Sequence, residues 1–100
     1  MSDGPRPIHA GRQGKHLRGH PHFIEGRSEL TVDPMRLADR QGTGEAANAI
    51  PRGAPGHKER VDFGEVIGVY VDPATGGRSA TTKGIIHHGA DGIHIVPARP

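Results

Sequence analysis

Two turn sequences punctuate the second half of the chain and constrain its fold more than any other feature. Asp72-Pro73-Ala74-Thr75-Gly76-Gly77 and Gly89-Ala90-Asp91-Gly92 are reversal signals, proline presetting φ and glycine permitting positive φ. The runs around them are short. Val61 and Phe63 alternate with polar residues, Val66 to Val71 is rich in β-branched side chains, Ser79 to His88 is a further run, and Ile93 to Val96 returns before Pro97. Period-two runs of this length, separated by such turns, predict an antiparallel β-meander of three to four strands.

Upstream the signals are helical and brief. Lys15 to Leu17 opens a short helix that Gly19 or Pro21 ends, and Ser28 to Leu30 reads as a turn. Asp33 is a helix cap, Pro34 suits the first turn, Met35, Leu37 and Ala38 supply apolar side chains, and Gly42 is the stop. Gly42 to His57 is dominated by Gly, Ala and Pro, with Ile50 as its large apolar residue, and predicts a long loop of the kind that carries function or moves. Residues 1–12, polar and interrupted by Gly4, Pro5, Pro7 and Gly11, read as a flexible leader or linker remnant, leaving residues 13–100 as the domain. Short helices followed by antiparallel strands predict an α+β fold with helices on one face of the sheet.

Composition limits how stable such a fold can be. Of 100 residues 32% are apolar, and Phe23, Phe63 and Tyr70 are the aromatics, so the core is thin and the surface-to-volume ratio unfavourable. Without cysteine neither disulfides nor thiolate–metal bonds brace it. The formal charge of +2 treats eight histidines as neutral. Because their ordinary pKa lies near 6.5, mild acid or a nearby phosphate makes the surface more cationic. An anionic partner is therefore expected, with nucleic acid ahead of membrane lipid. No stretch is apolar enough to span a membrane and no signal-peptide core follows Met1, so a separate carrier is expected wherever the chain acts outside the cytoplasm that made it. Phosphate-cradling loops, nucleophile elbows and zinc-protease signatures are lacking, and no cofactor is expected.

Strand parity points to the chemistry. Along Ser79 to His88, the residues Thr81, Lys83, Ile85 and His87 share one face, while Thr82, Gly84, Ile86 and His88 share the other. A turn of two or four residues puts His94 on the face of His87, and a three-residue turn pairs His94 with His88 instead. Either way one face presents two imidazoles near a threonine and a lysine. Cleavage of a phosphodiester by its neighbouring 2′-hydroxyl needs a base, an acid and a fixed cation, and histidine with lysine or arginine suits those tasks. Lys15 and His16 complete the set if the N-terminal segment packs on the sheet edge. Arg12, Arg60 and Arg99 are candidate substrate-binding cations. The plainer reading makes a strand histidine half-buried and structural, Lys83 a solvated charge and Thr82 a strand former. His20 and His22 have imidazoles that can bind a metal, but no cysteine or acidic cluster accompanies them.

Lys58-Glu59-Arg60-Val61-Asp62-Phe63-Gly64, Ile67-Gly68, Tyr70-Val71-Asp72, Thr81-Thr82-Lys83-Gly84-Ile85-Ile86-His87 and Gly92 with His94-Ile95-Val96-Pro97-Ala98 together resemble the bacterial polymorphic toxin type 50 domain. Gln13, Lys15-His16, Gly19, Gly26, Ser28, Leu30 and Gly42-Thr43-Gly44 fit the same pattern. The resemblance implies a metal-independent endoribonuclease of the fold shared by barnase, EndoU nucleases, certain colicin nucleases and RelE. It further implies a toxin carried at the tip of a larger secreted or phage-derived protein, acting on RNA in the target-cell cytoplasm and neutralised by a cognate immunity protein. It favours Lys15, His16, Thr82, Lys83, His87 and His94 as site residues, with His16 or His94 as base and acid, Lys15 and Lys83 on the phosphate, and Thr82 as a donor. His88 departs from the pattern, which has an aromatic there. Gly19 to Gly26 fits less well, and Ala46 to Pro55 diverges. Two rival classes are a metal-dependent DNA nuclease and a non-catalytic binding module of a toxin or phage protein.

Overall fold

A computed structural model describes residues 6–100 of the chain. The expected α+β class holds, and the strands are antiparallel, but they divide between two sheets rather than forming one meander. In chain order the elements are α1 (Ala10–Gly14), β1 (Glu29–Leu30), α2 (Pro34–Leu37), a 3₁₀ turn (Ala38–Arg40), β2 (Glu45–Ala46), β3 (Lys58–Asp62), β4 (Gly68–Val71), β5 (Arg78–Thr81), β6 (Lys83–Gly89) and β7 (Gly92–Pro97). One sheet has the order β2-β3-β6-β7 and the other β1-β4-β5.

The two sheets meet where one strand was expected. Ser79 to His88 breaks at Thr82, so that Arg78–Thr81 pairs with β4 while Lys83–Gly89 pairs with β3. The Phe63 amide donates to the Thr82 carbonyl and the Ile67 amide to the Thr81 carbonyl, and these bonds hold the switch in place. Other differences lie in the first half. The helix falls at Ala10–Gly14, ahead of the expected Lys15 to Leu17, and Ser28 to Leu30 contributes a strand rather than a turn. Of the expected leader, residues 1–5 lie outside the described residues. Ile8 bridges Ile93, and Ala10 begins α1.

Asp33 caps α2 as read, its carboxylate accepting from the Met35 amide at 2.9 Å. The helix ends early and continues as the 3₁₀ turn to Arg40. Met35 points to solvent, while Leu37 enters the core. That core joins Leu30, Leu37, Val61, Phe63, Ile67, Ile86, Ile93 and Ile95. On the larger sheet it claims the alternate positions Val61, Ile86, Ile93 and Ile95, so the opposite parity faces outward. Ile8, Leu17, Val32 and Ala38 close over it. No helix among the described residues is long and apolar enough to cross a membrane.

Candidate functional site

The outward face of the larger sheet carries the histidines. Gly89 pairs with Gly92, so the β6–β7 connection is the two residues Ala90 and Asp91, and His87 stands directly opposite His94. Their rings stack with centroids 4.5 Å apart and planes 23° from parallel. Lys58 of β3 pairs with His87 on the other side. One crosswise row of the sheet therefore reads Lys58, His87, His94.

His16 extends the row beyond the edge of β7, its ring 6.2 Å from that of His94 and 12° from parallel. Gln13 puts it there. Its side chain donates to the Ile95 carbonyl at 2.9 Å and accepts from the Ile95 amide at 2.7 Å. It thus occupies, within a buried setting, the edge groups a further strand would use. The His16 carbonyl in turn accepts from the Leu30 amide at 2.8 Å. His16 Nδ1 lies 2.8 Å from the Ser28 carbonyl. A carbonyl only accepts, so Nδ1 carries the proton and the Nε2 lone pair is left free. Gln13→Ala is expected to destabilise the domain by roughly 2–4 kcal/mol, because it strips partners from a buried amide and a buried carbonyl at once. Urea unfolding measures this, and a wild-type midpoint would show that the clip carries no weight.

Burial and nearby positive charge keep the three imidazoles neutral at physiological pH. Burial is the largest cause for each. It lowers His94 to about 3, helped by the positive fields of His87, His16, Arg12 and Lys15. His87 falls to about 4, with Lys58 as its next cause. His16 is lowered by burial, Arg27 and Lys15 against the opposing hydrogen bond to Ser28. The cations facing the row are therefore Arg12, Lys15, Arg27 and Lys58. An anion placed among them favours the protonated rings and opposes each of these shifts. On one side of the row lies a cavity of about 530 Å³ whose lining includes Arg60, Tyr70, Ile85, Val96 and Arg99. On the other lies one of about 430 Å³ lined in part by Arg12, His57, Lys58 and His88. His87 and His94 line both, so the two cavities adjoin at the row.

The structure brings together His16, His87 and His94, with Arg12 in the second cavity and Arg60 and Arg99 in the first. Lys15, next to His16 in the chain, lines neither cavity and acts on His16 and His94 through its charge. Arg12 also faces Asp91 at 3.6 Å. Lys83 and Thr82 stand apart. Lys83 opens β6 and Thr82 precedes it, four and five residues from His87, which is roughly 13–16 Å along a strand, and neither lines the two cavities. The Thr82 hydroxyl donates to Asp62 at 2.9 Å. Lys83 keeps the face of His87 within β6, as its parity requires, and only distance along the strand separates it from the row. His88 faces the core side, where its Nε2 meets Glu59 at 2.7 Å. His20 accepts from the His22 amide at 3.0 Å, and their tilted rings sit 5.2 Å apart.

Sequence reasoning passed over Lys58, Arg27, Gln13 and Glu59 as site components. Lys58 shares the parity of Arg60, which was enough to place it on the outward face. Nothing in the spacing of Gln13 or Arg27 marked either one. Among the described residues no group of three or more histidine or acidic side chains is placed to hold a metal ion. The stacked planes of His16, His94 and His87 give the reason, since ring nitrogens aim their lone pairs within their own planes. Nearly parallel rings 4.5 and 6.2 Å apart do not converge on one centre.

The bacterial toxin 50 family model matches residues 8–97. The match takes in nearly the whole chain, including α1, both sheets and every member of the histidine row, and the chain belongs to that family. No curated protein matches it.

Proposed function

With membership of a bacterial toxin family as the premise, we propose that this domain is an endoribonuclease that cleaves RNA through the neighbouring 2′-hydroxyl. The observation that carries the reading is the row of stacked imidazoles, buried His16 with partly buried His94 and His87, flanked by two cavities and faced by cations. His16 Nε2, with its lone pair free, takes the proton from the 2′-hydroxyl. The 2′ oxygen attacks phosphorus and the bond to the 5′ oxygen breaks. A protonated imidazole of the His94–His87 pair, charged once the phosphate has entered, delivers a proton to the departing oxygen. The products are a 2′,3′-cyclic phosphate and a 5′-hydroxyl. Lys15 faces the phosphate and offsets the charge that builds there, with Arg12 and Lys58 beside it. Lys83 and Thr82 serve the substrate strand further along β6 rather than the reacting phosphate. Delivery by a larger carrier, action in the target-cell cytoplasm and restraint by an immunity protein belong to the same reading.

Purified domain incubated with total cellular RNA is expected to give cyclic-phosphate ends, with equal rates in the presence and absence of EDTA. Loss of cleavage in EDTA, or cleavage of plasmid DNA only when a divalent ion is added, would replace this reading with that of a metal-dependent DNA nuclease. Intact RNA and intact DNA from a folded domain would leave a binding module.

A further inference from the structure

We propose that the cavity of about 530 Å³ is a nucleobase subsite in which Tyr70 stacks on a base adjoining the phosphate held at the histidine row. The proposal deepens the nuclease reading and rests on it for the identity of that phosphate.

The first argument concerns the floor. Next to the row Lys58, His87, His94, the sheet carries a second crosswise row, Arg60 with Ile85 with Val96. The open face of an antiparallel sheet is ordinarily polar, yet Ile85 and Val96 lie there only partly covered. An apolar strip in a groove favours a flat apolar occupant over water. The two rows are two residues apart, roughly 6.5–7 Å, a separation that one ribose spans between a phosphate and its base.

The second argument concerns the walls. Tyr70 comes from β4 of the smaller sheet and lines the cavity together with Pro73. Of the other aromatics, Phe63 is in the core and Phe23 lies under the Arg18 guanidinium. Arg99 sits over the Tyr70 ring, 5.8 Å from its centroid, with Nη2 3.4 Å from the hydroxyl. Aromatic ring, guanidinium plane and apolar floor are the elements by which single strands are bound through base stacking. Arg60 and Arg99 offer donors only, so they suit base carbonyls, ring nitrogens and backbone phosphates.

The chain has one tyrosine and no tryptophan, so its intrinsic tyrosine emission reports on this cavity alone. A short single-stranded oligodeoxynucleotide lacks the attacking hydroxyl and survives the titration. Tyr70 emission is expected to be quenched in step with binding followed by anisotropy of a labelled strand. An abasic sugar–phosphate strand should bind without quenching. Tyr70→Ala should weaken oligonucleotide binding roughly five- to hundredfold, the loss expected for one base–aromatic stack, whereas Tyr70→Phe keeps wild-type affinity. Arg99→Ala, at an exposed side chain, weakens binding severalfold without disturbing the fold. Unquenched tyrosine in a saturated complex, or wild-type affinity in a folded Tyr70→Ala variant, would overturn the subsite. Quenching together with intact cellular RNA would uphold the subsite and sink the nuclease reading. RNA cleavage with Tyr70 unquenched would do the reverse.

Discussion

His94→Ala is expected to slow RNA cleavage by about 10²- to 10⁴-fold, the contribution of one positioned proton-transfer group, and to flatten the acid limb of the domain's stability curve. His94 is the middle ring of the row, 6.2 Å from His16 and 4.5 Å from His87, so its removal deletes one group and unstacks the other two. The stability effect follows from its ionisation. In the folded domain the imidazole is held down to about 3, whereas in the unfolded chain it titrates near 6.5. Between those values the unfolded chain binds a proton that the folded one does not. Stability is therefore complete above pH 6.5 and falls as the pH drops toward 3, at up to about 1.4 kcal/mol per unit from this group. His87, held at about 4, adds a loss of the same sign. The variant lacks the first of these losses and keeps the second. Urea unfolding of both proteins at pH 7.5, 6 and 5, beside cleavage assays at pH 7.5, makes the comparison. Cleavage within a few fold of wild type would remove His94 from the reaction. Parallel stability curves would show that the folded domain does not hold the ring neutral.

The face of the hairpin was legible because only two facts were needed, the period of two and the parity of the turn. With Ala90 and Asp91 between the paired glycines, His87 meets His94, as even turn lengths require. The break at Thr82 was not legible. Thr81 and Thr82 are good strand formers, and what divides the run there is the pairing of β5 with β4 and of β6 with β3, which is tertiary. Lys83, on the face of His87, and Thr82, favoured by the resemblance, lie four and five residues from that histidine, roughly 13–16 Å along a strand. Helix α1 escaped notice for a related reason. Its sequence, Ala10-Gly11-Arg12-Gln13-Gly14, carries two glycines in five residues, a poor intrinsic helix former. A cap from His9 to the Arg12 amide and the Gln13 clip on β7 hold it instead. Pattern reached His16 only on condition that the N-terminal segment pack on the sheet edge, since its place beside His94 depends on that docking. Glu59 was legible in principle. It shares the parity of Val61 and Phe63, and a carboxylate at a core position demands partners.

Those partners make Glu59 the position where one substitution should cost the fold most. Its side chain is fully buried, yet its carboxylate accepts from the Gly42 amide at 2.7 Å, the Gly44 amide at 2.9 Å and His88 Nε2 at 2.7 Å. Burial alone would raise its pKa, but the two glycine amides and His88 together hold it below the usual carboxylate range. The glycines are as necessary as the acid. Gly42 has φ +88, and a Cβ on Gly44 would collide with the Arg60 carbonyl, so a bulkier pair could not bring both amides to one carboxylate. Through them Glu59 ties down the start of the long Gly42 to His57 segment. Through His88, whose backbone bonds His57 and Gly56, it ties down the end. Glu59→Ala leaves two partly buried amide donors and an imidazole unpartnered around a buried position, and breaking a buried charged pair costs about 3–5 kcal/mol. A domain of this size has roughly 5–15 kcal/mol in total, and a thin core places this one low in that range. A fall in Tm of roughly 15 °C or more is expected by far-UV circular dichroism, along with loss of the wall that Lys58 and His57 give the second cavity. Arg52→Ala is the control. Arg52 approaches the same carboxylate at 3.6 Å but is half-exposed, and its loss should cost under about 1 kcal/mol. If Glu59→Ala melts within a few degrees of wild type, or no lower than Arg52→Ala, the buried carboxylate is not what fastens the segment to the sheet.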